Sequence, residues 1–159
     1  DNVKKNSKKV LATILIVLST ICIFIVDKGS TNNVSLAKTT STSDIQLMAR
    51  AINGEARGEP YEGQVAVGAV ILNRVKDSRF PNSISGVIYQ PGAFTAVSDG
   101  QINASISEGS TVYKAAQDAM NGWDPTGGCV YYFNPSTATN KWIWSRPLIK
   151  TIGKHRFCK

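Results

Sequence analysis

The chain has 159 residues, with 18 Lys and Arg against 11 Asp and Glu, and a formal charge of +7. That length fits one domain plus an appendage, and one modest core. Three cysteines and a single histidine exclude a zinc site of the usual Cys/His spacing, so no metal or other cofactor is expected.

The first 42 residues read as a leader and linker. Lys4, Lys5, Lys8 and Lys9 precede Val10 to Val26, a 17-residue run without a charge. A basic n-region before an apolar h-region is the export pattern. Ser35-Leu36-Ala37 offers a small-x-small cleavage site, while the apolar run is at the lower edge of bilayer-spanning length. Cleaved signal peptide and retained membrane anchor (residues 10–26) both fit. Cys22 follows Ile21, which is too large for a lipobox. Thr31 to Thr42 is rich in Ser, Thr and Asn, as linkers are. From Lys38 onward the chain holds 13 Lys and Arg and 9 Asp and Glu, a charge of +4. A mildly basic exported domain suits a polyanionic wall or membrane surface. No basic run with interleaved aromatics argues for nucleic acid.

The folded part is expected over residues 43–159. Ser43-Asp44-Ile45-Gln46 reads as a capping box, and Ile45, Met48, Ala49 and Ile52 repeat at helical spacing. Gly54 and Gly58 loosen the chain, and Pro60 suits the first turn of a second helix. That helix carries Val65 to Leu72 without a polar side chain, so it is central and buried all round. Glu59 and Glu62 fall at its start, where capping is their expected role. Glu55 falls near the end of the first helix. There the dipole and an apolar neighbour both raise a carboxyl pKa, as a general acid requires. A solvated helix-end glutamate, or one held by Arg57, is the competing reading.

Asn82 is expected to cap a short helix, Ser83 to Tyr89. Gln90-Pro91-Gly92 and Asp99-Gly100 are turns. Ser110 starts another helix, with Val112, Ala115, Ala116 and Ala119 on one side, and Gly122 ends it. Cys129 to Phe133 is the clearest strand. Trp142-Ile143-Trp144 and Thr151 to Phe157 read as short extended pieces.

Cys129 with His155 raises a Cys–His wall peptidase or amidase as an alternative. Against it, Cys129 opens a strand and not a helix N-terminus, where a thiol pKa is depressed. Outside the cytoplasm Cys129 and Cys158 form an even pair, and a disulfide is expected. No Gly-x-Ser-x-Gly elbow and no phosphate loop is present.

Glu55-Ala56-Arg57-Gly58-Glu59-Pro60-Tyr61-Glu62-Gly63-Gln64-Val65-Ala66-Val67, followed by Val70-Ile71-Leu72-Asn73-Arg74-Val75, resembles the signature of the SleB/CwlJ family of cell-wall hydrolases. The likeness continues through Phe80-Pro81, Val87-Ile88-Tyr89-Gln90, Phe94, Tyr132-Phe133-Asn134-Pro135 and Ile152 to Phe157. It implies a mainly helical, lysozyme-like α+β domain with a short β-sheet, related in shape to lytic transglycosylases. It further implies that Glu55 is the catalytic acid and that glycan lies across a groove at the Phe94-Thr95 loop and the Tyr132 strand. The expected substrate contacts are Gln90, Phe94, Thr95, Tyr132, Asn134, Trp144 and His155. Tyr132, Trp142 and Trp144 have a competing role as core aromatics, and His155 as a structural histidine. Many family members carry a separate N-terminal peptidoglycan-binding domain, whereas the likeness here follows a leader and linker.

A glycosidase that uses water needs a second carboxylate roughly 5 to 9.5 Å from the acid. Glu59 and Glu62 are expected at a helix start and Asp99 in a turn, which favours a lytic transglycosylase over a muramidase. The expected partner is peptidoglycan of the spore cortex or cell wall, cut by an exported monomer during germination. A non-catalytic wall-binding module is the remaining alternative.

Overall fold

The computed structural model describes the backbone of residues 31–159 and the side chains from Ser43 onward. The leader, its apolar run 10–26 and Cys22 lie outside the described residues, as do the side chains of the Ser35-Leu36-Ala37 cleavage site. Among the described residues no helix is long and apolar enough to cross a membrane. Thr42–Lys159 forms a compact unit.

Helix α1 spans Thr31–Ala56. The polar stretch expected as a linker is therefore helical, and Ser43 lies inside α1. This corrects the capping box, since an N-cap residue must leave helical φ/ψ. Met48, Ala49 and Ile52 are buried, as the spacing predicts, while Ile45 is only partly buried; Ala51 and Ala56 are buried as well.

Helix α2 (Tyr61–Lys76) starts after Pro60, whose φ of −53° suits a helix start and whose missing N–H has no partner to lose. Every residue from Gly63 to Ile71 is buried. Its two sides serve two cores. Val65, Val67 and Ile71 face the helices, while Ala66 and Val70 meet Ile152, Phe157 and Cys129. Each fully buried Val or Ile contributes roughly 1.5–3 kcal/mol relative to exposure. Gly68 permits close helix packing: a Cβ there would lie 2.9 Å from Ala119 Cβ and 3.2 Å from Ile52 Cδ1.

Helix α3 (Ile84–Ile88) is capped by Ser83, whose Oγ accepts the Gly86 N–H at 3.0 Å, so the cap is one residue later than Asn82. A Gln90–Ala93 turn with Gly92 at φ +73° leads to α4 (Thr95–Ser98), a single turn. Helix α5 (Thr111–Met120) begins at the expected Ser110 cap and packs against α2.

Strands β1 (Tyr131–Phe133), β2 (Leu148–Ile152) and β3 (His155–Cys158) form an antiparallel sheet in the order β1-β3-β2. One-turn helix α6 (Lys141–Trp144) precedes β2. This corrects the extended reading of Trp142-Ile143-Trp144: Asn140 Oδ1 accepts the Trp142 N–H at 2.9 Å and starts a turn. The pleat of β1 decides where its aromatics go. Tyr131 and Phe133 face α6, with ring centroids 5.1 Å from Trp142 and 4.9 Å from Trp144. Tyr132 points the other way, against His155 at 5.0 Å and Phe157 at 5.9 Å. The architecture is the expected one, mainly helical α+β with a small sheet.

Candidate active site

A cleft of about 430 Å³ opens between the end of α1, the turn before α4, and β1. Glu55, Arg74, Thr95, Tyr132, Asn134 and His155 line it, together with Gly92, Ala93, Thr137 and Ala138. Glu55 occupies the last turn of α1. Two donors hold its carboxyl group. The Ala96 N–H, in the first turn of α4 where backbone donors have no intrahelical partner, reaches Oε1 at 2.8 Å. The Tyr132 hydroxyl donates to Oε2 at 3.0 Å. Gly54 lets α4 come this close, because a Cβ there would be 3.3 Å from Ala96 Cα and inside contact distance of its Cβ.

Burial pushes the Tyr132 hydroxyl well above its usual pKa, and the Glu55 charge and hydrogen bond push the same way. Tyr132 therefore remains a donor at neutral pH. Arg74 lies behind it, 8% exposed, with Nε donating to Val130 O at 2.7 Å. Its guanidinium carbon sits 5.2 Å from the Phe80 ring centroid, 5.3 Å from that of Phe94 and 5.8 Å from that of Tyr131. Burial lowers the Arg74 pKa while Tyr132, Tyr131 and Glu55 oppose the shift. A guanidinium starts so high that it keeps its charge. His155 is buried, and its Nδ1 has no hydrogen-bond partner among the described residues. Burial lowers its pKa below the ordinary value against the pull of Glu59 and Glu55, so it is neutral at pH 7.

The other acidic candidates point elsewhere. Glu59 Oε2 accepts the Lys154 N–H at 2.8 Å and so ties the β2–β3 turn to the start of α2. Glu62 pairs with Lys150 at 2.8 Å on the surface. This corrects the capping expectation for both: Pro60 holds the N-cap of α2 without a side-chain hydrogen bond. Their carboxylates reach across to the hairpin instead. Asp99 accepts the Gln101 N–H at 3.0 Å and its amide Nε2 at 2.7 Å, and these bonds hold its carboxyl below the usual range. Arg57 donates to Gln101 Oε1, so it does not hold Glu55. None of the three lines the cleft.

Of the expected substrate contacts, Thr95, Tyr132, Asn134 and His155 share the cleft with Glu55. Phe94 does not line it: the ring is 3% exposed and supports Arg74 from below. Gln90 is also absent from the wall; its backbone carbonyl closes the preceding turn on the Ala93 N–H at 3.0 Å. Trp144 is not among the lining residues; it is half exposed, and its Nε1 donates to the carbonyl of Ala138, which does line the cleft, at 3.3 Å. Sequence reasoning missed Arg74 and the Ala96 N–H. Arg74 had a signal: it lies four residues after Val70, on the line of a helix face whose preceding turns are apolar, where a charge needs a reason. The Ala96 N–H had none.

The thiol readings are corrected. Cys129 and Cys158 are free and buried, and no disulfide joins them. Cys129 Sγ donates to Thr126 O at 3.3 Å, in the cluster of Ala66, Val70, Ile152 and Phe157. Burial pushes both thiols up, away from thiolate reactivity. Cys129 is outside the cleft and has no bond to His155, which disfavours a Cys–His nucleophile.

A family model described as Cell Wall Hydrolase matches residues 58–158. A spore cortex-lytic enzyme of Bacillus cereus is 67% identical over 119 residues, covering 75% of this chain and 45% of that protein. The cell wall hydrolase CwlJ of Bacillus subtilis is 30% identical over 124 residues, covering 74% of this chain and 85% of that protein. Among solved structures, the catalytic domain of the germination-specific lytic transglycosylase SleB from Bacillus anthracis is 67% identical, with a TM-score of 0.70. That likeness covers 73% of this chain and 93% of that domain. The chain spans less than half the length of the spore cortex-lytic enzymes that it matches.

Proposed function

The chain belongs to the cell wall hydrolase family, and on that premise we propose that it cuts glycan strands of spore-cortex peptidoglycan, with Glu55 as general acid and then base. The observation that carries this reading is the Glu55 carboxyl group on the cleft wall, held by the Ala96 N–H and the Tyr132 hydroxyl. The names of the similar proteins, spore cortex-lytic enzyme and lytic transglycosylase, support the substrate and the bond type. The basic leader and its apolar run support an exported enzyme, cleaved or anchored.

In the first step protonated Glu55 delivers its proton to the oxygen linking a muramyl C1 to the next sugar, and the C1–O bond breaks. Positive character develops at C1 while the Glu55 carboxylate forms. Ala96 and Tyr132 donate to that carboxylate in fixed positions, which stabilises it without reorganisation. In the second step Glu55 takes the proton of the muramyl 6-hydroxyl as its oxygen bonds C1. An anhydro ring closes and no water is consumed. Glu55 is the one carboxylate lining the cleft among the described residues, which favours this route over hydrolysis.

Mass spectrometry of a purified-cortex digest tests the proposal. Released strands are expected to end in 1,6-anhydro-muramic acid, one water lighter than hydrolytic ends and inert to borohydride. Borohydride-reducible muramyl ends would replace the transglycosylase route with a muramidase. Absence of released muropeptides would remove glycan cutting altogether. Glu55→Gln should lower turnover by ~10²-fold to 10⁴-fold, the usual loss for a general acid.

A further inference from the structure

Arg74 is a charged group for which the chemistry above has no use. The residue is 8% exposed, its guanidinium is caged by the rings of Phe80, Phe94 and Tyr131, and its Nε donates to the Val130 carbonyl. Among the described residues no carboxylate comes within 4.0 Å of it. The Glu55 carboxyl oxygens accept from the Ala96 N–H and the Tyr132 hydroxyl and make no ion pair with Arg74. A nearly buried, unpaired charge is costly and is retained where a partner completes it. Among the described residues nothing bonds the Nη edge, and the residue lines the cleft. A guanidinium fork matches a carboxylate with two parallel hydrogen bonds.

We infer that Arg74 binds a carboxylate of the substrate, so that the cleft selects an acidic muramyl residue over a neutral N-acetylglucosaminyl one. This rests on the peptidoglycan reading for its ligand, though not on turnover. Peptidoglycan offers the carboxylate from two sources. One is the lactyl acid of a muramyl residue without its peptide. The other is an acidic residue of the peptide stem. Either would lie over Arg74 while the sugar spans toward Glu55.

The test is titration calorimetry of the full wild-type chain with four small ligands. These are N-acetylmuramic acid, its methyl ester, N-acetylmuramyl-L-alanyl-D-isoglutamine, and N-acetylglucosamine. The inference expects at least one of the two acids to bind about tenfold or more tighter than the ester and N-acetylglucosamine, as a charge-assisted bidentate bond allows. Preference for N-acetylmuramic acid assigns the lactyl source; preference for the dipeptide alone assigns the stem. Arg74→Gln should bring all four ligands to one affinity, and Arg74→Lys should keep part of the difference. Equal binding of acids and neutral sugars by the wild type, or no measurable binding of either acid, overturns the inference without needing a variant. So does a preference that survives in folded Arg74→Gln. Acid-selective binding by a chain that releases nothing from cortex would refute glycan cutting and leave the Arg74 site standing. Cortex cleavage without acid selectivity would do the reverse.

Discussion

Gly54→Ala tests whether close approach of two backbones builds the site. An alanine in the last turns of α1 ought to stabilise the helix by roughly 0.5–1 kcal/mol over glycine. Here the added Cβ would fall inside contact distance of Ala96 Cβ, 3.3 Å from Ala96 Cα and 3.4 Å from Gln101 Cβ. Carbon pairs prefer about 3.5–4.0 Å, so Ala96 must retreat by about 1 Å. Its N–H is 2.8 Å from Glu55 Oε1, and such a retreat takes it past hydrogen-bond range. Overpacking costs about 1–3 kcal/mol, and the lost bond to the carboxyl group about 1 kcal/mol more. The clash outweighs the helix gain, so the melting temperature should fall. A misplacement of that size at the acid can lower turnover by about 10²-fold. The assay is muropeptide release from purified cortex beside a thermal melt. Gly54→Ala with Ala96→Gly removes the offending methyl and should recover a measurable part of both losses. A Gly54→Ala protein that melts higher and turns over normally, or a double variant no better than the single, would refute the reasoning.

Glu59→Ala should lower stability by about 1 kcal/mol through the lost bond to the Lys154 N–H, with turnover changed little; denaturant melts and the cortex assay read both. His155 predicts a pH effect. Burial lowers its folded pKa below the ordinary 6.5, so the unfolded chain binds the proton more readily. Stability is therefore present above about pH 6.5 and is lost as pH falls toward the folded value, despite the favourable charges of Glu59 and Glu55. Denaturation midpoints at pH 7 and pH 5 should differ less in His155→Gln. Iodoacetamide should label neither Cys129 nor Cys158 in the folded, unreduced protein, and should label both after unfolding without reductant. Labelling only after reduction would restore the disulfide.

Much of the scaffold was legible in the residues alone because its causes are local. Pro60, the apolar run Val65 to Leu72, Ser110 and the aromatic strand ending at Phe133 each act within a few residues, through φ restriction, capping or periodicity. The same local reading placed Glu55 at the end of a helix beside a buried one, and the family signature singled it out. It misled where a local cause had a distant competitor. Glu59 sits where caps sit, but its carboxylate finds the Lys154 N–H 95 positions away. Trp142 to Trp144 alternate like a strand, yet Asn140 starts a turn under them. What makes Glu55 a site is non-local throughout. The Ala96 N–H comes from 41 residues on and the Tyr132 hydroxyl from 77, and Gly54 matters only because α4 crosses there. Periodicity specifies which face of a helix is buried. Packing alone decides which donors lie within 3 Å of a carboxyl group, because those distances depend on every intervening turn.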